Sequence, residues 1–185
     1  MVSALPGPEA AYADESEAFD AALRRRDGLL DVRPERPCDR DALRLIFAHC
    51  SPLASTLPAS MLIQQADLQE IGHRAQHPGA MRRIAWRGDT PIGRIVIDWR
   101  VAGPRTDVSQ CVDIAVLPAY RPGGAGLHML RAWLDIADLH RRVCRLEVRH
   151  GNPAILLYRR LGFAPSGPAT SDDPVMTMIR PRPRG

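Results

Sequence analysis

The sequence predicts a single α/β domain with a mixed sheet and helices on both of its faces. Three observations carry this. Apolar residues recur at helical spacing through residues 39–75, then switch to period two from residue 81. A nearly continuous apolar stretch, Cys111–Leu117, reads as a strand in the middle of a sheet and runs into a glycine-rich loop that opens a helix. The order of segments, strand, two helices, three strands, helix, strand, helix, strand, is that of a layered α/β domain.

Taken in order, Leu29–Val32 is short and apolar enough for a strand, and Pro34 and Pro37 end it. Cys38 or Asp39 caps a helix whose Leu43, Ile46 and Phe47 share a face and which ends near Cys50. Pro58–Ala75 is a second helix, with Met61, Leu62, Gln65, Leu68 and Ile71 at helical spacing and Gly79 beyond its end. Met81–Arg87 and Pro91–Val101 form a hairpin across Gly88-Asp89-Thr90-Pro91. After the Cys111–Leu117 strand, Gly124–His140 carries an apolar helix face, Val143–Val148 a strand, Pro153–Leu161 a short helix closed by Gly162, and Val175–Ile179 a last strand. Residues 1–28, rich in Ala, Pro and acids, read as a flexible, poorly ordered or docking extension with at most one helix near Asp14–Arg26, leaving 29–185 as the domain.

Composition narrows the function. The chain of 185 residues is 45% hydrophobic and 25% charged, as ordinary globular proteins are. It shows no spanning apolar run and no secretory leader, so a cytoplasmic location and no membrane partner are expected. Cys38, Cys50, Cys111 and Cys144 form no C-x-x-C pair, which argues for a reduced compartment and no structural metal. Every one of the basic residues other than His is Arg, and residues 1–31 hold seven acids against three Arg. The positive excess therefore lies downstream, where an anion would bind. No basic stretch is interleaved with aromatics, and no nucleic acid partner is expected.

The informative junction is Arg121-Pro122-Gly123-Gly124-Ala125-Gly126, between a buried strand and a helix. Free backbone N–H groups and the helix dipole converge at such a junction, and glycine lets a phosphate approach the backbone. It is not an ATP loop: the chain has no Lys for G-x-x-x-x-G-K-[ST] and no full G-x-G-x-x-G.

Arg121, Gly124 and Gly126 match the [RQ]-x-x-G-x-[GA] signature, and so the segment resembles the GCN5-related N-acetyltransferase (GNAT) superfamily. Downstream, Leu146-Glu147-Val148-Arg149-His150-Gly151-Asn152 followed by Tyr158-Arg159-Arg160-Leu161-Gly162-Phe163 looks like that family's fifth strand and N…LY-x-x-LGF helix, most like enzymes that acetylate the N-terminal alanine of a ribosomal protein. The resemblance implies a mostly antiparallel central sheet whose fourth and fifth strands splay. It implies an acyltransferase that uses acetyl-CoA as co-substrate, needs no metal, and acetylates a primary amine by direct attack. The pyrophosphate would sit on the N–H groups of Gly123, Gly124, Ala125 and Gly126 beside Arg121, the pantetheine arm along Ile114, Ala115 and Val116, with Asn152 also near the cofactor. Tyr158 would protonate the departing thiolate, and Glu147, or else Asp113, would take the amine's proton; His150 is the weaker candidate.

Two departures, Pro122 without an N–H and an Asn152–Tyr158 interval one residue short of the usual family spacing, favour an alternative: a catalytically idle CoA-binding regulatory module on the same fold. The acceptor could be a small-molecule amine or a protein amine, its pocket expected near Met61–Gln65, Asp98 and Trp99, and a homodimer stays open.

Overall fold

Each strand and helix read from the sequence is present, within a few residues of its expected ends. The structure is a computed structural model that describes residues 8–28, 30–101, 107–167 and 174–183, with side chains from residue 14 onward. In chain order the elements are α1 (Pro8–Arg26), β1 (Asp31–Pro34), α2 (Arg40–Cys50), α3 (Ala59–Gln76), β2 (Met81–Arg87), β3 (Thr90–Asp98), β4 (Val108–Val116), α4 (Ala125–Leu139), β5 (Val143–Arg149), α5 (Ala154–Arg160), β6 (Ala164–Pro165) and β7 (Val175–Arg180). Leu29, expected to open β1, lies outside the described residues.

The sheet has seven strands in the order β1-β2-β3-β4-β5-β7-β6. Every pairing is antiparallel except β4 with β5, which α4 connects as a crossover. The two-residue strand β6 carried too little pattern to be seen in advance. β4 also starts three residues before its expected Cys111, because the polar Ser109 and Gln110 are buried there. Ser109 takes a 2.8 Å hydrogen bond from Trp133 Nε1 of α4, which accounts for a polar residue in a core strand.

On one face α4 buries Met129, Leu130, Trp133 and Ala137 in the main core. Trp133 stacks on Phe163 with ring centroids 5.8 Å apart. Helices α2 and α3 pack together on the sheet's other side, α2 against β3 and β4. At Gly93 of β3 an added Cβ would lie 2.5 Å from the carbonyl oxygen of Ala115, so only glycine permits this close β3–β4 approach.

The first helix takes the docked form and not the flexible one. Residues 14–26 are not a flexible extension: Phe19, Ala22 and Leu23 are at most 2% exposed and belong to the main core, with Phe19 edge-on to Trp99 at 6.5 Å. Glu15 is buried too and pairs with the buried Arg142, whose Nη1 also donates to the Trp99 carbonyl at 2.8 Å. Asp20 holds Arg83 of β2 at 2.9 Å, and Arg26 holds Asp135 of α4. Residues 15, 19, 22 and 23 do fall on one helical face, but a buried acid within it hides the apolar pattern.

Candidate active site

The site forms where β4 and β5 part. Their ladder runs only from Val108–Val143 to Cys111–Leu146. Beyond it β4 stays with β3 as far as Val116, and β5 stays with β7 as far as Arg149. A bulge marks the point of separation. Val96 faces Asp113 and Ile97 faces Cys111, so Val112 is one residue too many for its partner strand and bends β4 away. The resulting cleft holds about 1450 Å³ and runs between the two strands under α2 and α3.

At one end of the cleft β4 leads into the glycine turn. Gly124 adopts φ +76°, a left-handed conformation that favours glycine, directly before α4. Its N–H is already engaged by the Arg121 carbonyl at 3.0 Å, and the first helical bond of α4 runs from His128 N–H to the Gly124 carbonyl at 2.9 Å. The amides of Ala125, Gly126 and Leu127 therefore lack acceptors within α4, and they sit at the positive end of its dipole. The free amides are not those of the whole Gly123–Gly126 turn expected from the sequence to form the cradle. The Gly124 amide is taken, neither Gly123 nor Ala125 lines the cleft, and Gly126 and Leu127 do. The Ala125 side chain is 1% exposed and packs in the core. Arg121 clips the turn to the strand end, its Nε donating to the Val116 carbonyl at 2.9 Å. Gly126 lies close under β4, where an added Cβ would be 3.4 Å from Val116 Cγ2.

The cleft wall also includes Ile114, Ala115 and Val116 of β4 and Asn152 before α5. Asn152 has a structural task, since its Oδ1 accepts the Ala154 N–H at 2.9 Å and so caps the start of α5. That helix presents Tyr158, which lines the cleft, is 7% exposed and meets Phe163 edge-on at 6.2 Å. Burial pushes its phenol well above the usual tyrosine range, with Cys111 and Asp113 adding to the shift. Tyr158 therefore keeps its proton.

The carboxylates fall into two groups. Asp113 lies 3.4 Å from Nε of the buried Arg94, which also holds Glu70 at 2.9 Å and Glu35 at 3.5 Å. Glu147 stands apart on β5, about half exposed, its Oε1 2.5 Å from Arg145 Nη2. His150 is exposed at the cleft rim. Of the expected acceptor pocket, Gln65 lines the cleft, whereas Trp99 is buried in the core beside α1 and Asp98 is held by His77 at 2.8 Å. Met61 is half exposed and does not line the cleft.

His73 was not singled out from the sequence, yet it lines the cleft on α3. Burial holds its imidazole below the usual range, partly offset by the Asp113 carboxylate. The available signal was the face made by residues 62, 66, 70, 73 and 77, apolar at Leu62 and Ala66 and then polar at Glu70, His73 and His77.

A family model for the Acetyltransferase (GNAT) family matches residues 42–163. The chain belongs to this family. The matched span runs from α2 to Phe163 and takes in the β4–β5 split, the glycine turn and Tyr158, while α1 lies outside it. The GNAT fold is shared with solved structures at low identity. A protein of Pyrococcus horikoshii OT3 superposes with a TM-score of 0.68 at 18% identity, over 84% of this chain and 99% of its own. The PaiA N-acetyltransferase of Thermoplasma acidophilum, solved in complex with coenzyme A, gives 0.61 at 17% over 82% and 98% of the two chains. The ribosomal-protein-S18-alanine N-acetyltransferase of Escherichia coli gives 0.59 at 19% over 84% and 96%. No curated protein matches the sequence significantly.

Membership makes the chain an acetyltransferase, and members of the GNAT family use acetyl-CoA as acyl donor. Among the described residues no three His, Cys, Asp or Glu side chains gather as a metal site, and no described helix is long and apolar enough to cross a membrane. Gly124→Glu is expected to abolish the rise in melting temperature that CoA confers. The larger residue is strained at φ +76°, and its carboxylate would repel any anion brought to the N-terminus of α4. Thermal scans of the variant with and without CoA check this.

Proposed function

We propose that this GNAT acetyltransferase transfers the acetyl group of acetyl-CoA to a primary amine by direct attack in the β4–β5 cleft. The observation that carries the reading is the convergence on one cleft of the α4 amides, the unpaired edge of β4 beyond Cys111 and the phenol of Tyr158. The pyrophosphate takes the N–H groups of Ala125, Gly126 and Leu127 with Arg121 beside them, and the pantetheine arm lies along residues 114–116 as an added strand would.

Glu147 takes one proton from the ammonium. The amine nitrogen then forms the C–N bond to the thioester carbonyl carbon, and the C–S bond breaks. Tyr158 donates its proton to the leaving sulfur and recovers one from the attacking nitrogen, so the net products are the amide, CoA thiol and one proton released through Glu147. Glu147 is favoured over Asp113 as base because its side chain is about half exposed at the cleft, where an amine can reach it, whereas that of Asp113 is largely enclosed beside the buried Arg94.

Two measurements test this. CoA at 100 times its dissociation constant should stabilise the protein by ~2.7 kcal/mol, and an unchanged melting point at millimolar CoA would remove the reading. Glu147→Gln should lower the rate of CoA thiol release most at low pH, where the amine is protonated and needs a base. An unaltered pH profile would leave proton removal to water or to Asp113. CoA binding without turnover of any amine would instead favour the idle regulatory module.

A further inference from the structure

Helix α3 walls one side of the cleft with Gln65, Glu70 and His73, yet little apolar surface holds it there. Of its 18 residues only Leu62 and Ala66 are buried, whereas Met61, Ile63, Leu68 and Ile71 are between 41% and 64% exposed. Its last turns stand off the sheet across a cavity of about 330 Å³, whose polar lining comes from His73, Gln76 and His77 of α3, Gln110 of β4, and Arg145 and Glu147 of β5. We propose that α3 is a movable wall, fastened over the cleft by an ion clasp on Arg82 and Arg94 and opening as a unit to admit the acyl acceptor. What enters rests on the amine-acetylation reading above, and the motion does not.

The clasp gathers charges from several segments. Arg94 of β3 holds Glu70 of α3 at 2.9 Å, Glu35 ahead of α2 at 3.5 Å and Asp113 of β4 at 3.4 Å. Arg82 of β2 donates from Nη2 to the carbonyls of His73 and His77 at 3.2 Å each, a cation at the negative end of the α3 dipole. Arg74 of α3 closes the ring on Glu35, and His77 meets Asp98 of β3 at 2.8 Å. Toward α2 the tie is ionic as well, with Asp67 pairing with Arg40 at 2.8 Å and with Arg44 at 2.7 Å. Charged groups that part take water as their new partner, whereas apolar surface has no such substitute. An element held by charges therefore opens more readily than one held by a core.

The closed clasp is also incompletely satisfied. Glu70 Oε1, Arg82 Nη1 and Arg94 Nε are buried without a hydrogen-bond partner among the described residues, and Glu70 Oε1 and Arg82 Nη1 stand 3.6 Å apart. Water reaches these atoms once α3 lifts, which offsets part of the loss of the pairs. Turn segments at residues 51–58 and 77–80 bound the helix and supply two hinges. Helix α4 is the opposite case, with eight of its 15 residues buried. When closed, α3 brings His73 to the space that Glu147 also lines. Arg82 and Arg94 are thus positioning residues, which act on the amine through the wall they hold.

Hydrogen exchange read by mass spectrometry on the full chain tests the motion. Amides of residues 59–76 should exchange ~100-fold or more faster than those of residues 129–137 in α4. Glu70→Gln should speed α3 by a further ~10-fold and Arg74→Ala, at the exposed end of the clasp, by less, with α4 nearly unchanged in both. With propylamine as probe at saturating acetyl-CoA, Glu70→Gln should also lower kcat/KM for the amine by ~10-fold, because a displaced wall misplaces it. The KM for acetyl-CoA, held at the α4 end of the cleft, should stay near that of wild type. Exchange of α3 at the pace of α4 in wild type overturns the proposal. Equal acceleration of both helices in the two variants does so too, since it marks a global loss of stability. A shift in the constants for both substrates together, or for neither, likewise overturns it. If propylamine is not turned over, exchange alone decides the motion, which is then upheld or lost independently of the amine reading.

Discussion

Tyr158→Phe is expected to lower kcat by ~10²-fold or more, the usual worth of a positioned acid, with CoA affinity nearly unchanged. The substitution keeps the ring that meets Phe163 and deletes only the hydroxyl. Burial raises the phenol's pKa above its ordinary value, so the proton is present across the physiological range, and the same burial raises the proton affinity of a thiolate formed beside it. A stability signature accompanies the kinetic one. With the folded pKa raised above the unfolded one, the unfolded chain binds fewer protons than the native state above about pH 10, and stability falls there as pH rises. Tyr158→Phe should remove this share of the alkaline loss. Thiol-release kinetics, CoA titration and urea midpoints between pH 8 and 11 measure all three effects, and wild-type turnover by the variant would reduce Tyr158 to a packing residue.

Deleting residues 1–27 is expected to leave no stably folded domain. The deletion uncovers the surface that Phe19, Ala22 and Leu23 seal and strips Glu15 from the buried Arg142. Truncating a buried Phe costs about 3–5 kcal/mol. Removing one partner of a buried ion pair costs about as much. Together these are comparable with the 5–15 kcal/mol that typically holds a domain folded. Phe19→Ala alone should therefore shift the urea midpoint by the equivalent of about 3–5 kcal/mol. A truncated protein that melts within a few degrees of the full chain would show that α1 is an accessory after all.

The local elements and the glycine turn were legible because their information is local. Met81–Arg87 is an apolar-rich run that ends at a turn sequence, and its observed bounds are those read from the sequence. Arg121, Gly124 and Gly126 announce a strand-to-helix junction, and the apolar face of residues 127–139 marks the helix behind it. What remained hidden depends on partners distant along the chain. Glu15 reads as a solvated acid until Arg142 meets it, and Asp113 reads as a free base until Arg94 lies beside it. His73 and Arg145 acquire a shared cavity only once α3 lies across β4 and β5. Which amides of the turn stay free is also decided at this level, since the engaged Gly124 amide follows from a turn bond to Arg121 and not from residue type. Spacing within one element determined which face is apolar and where the backbone turns. Only the tertiary structure decided which buried charges are paired and which buried nitrogens still lack a partner, because that depends on contacts between residues far apart in the chain.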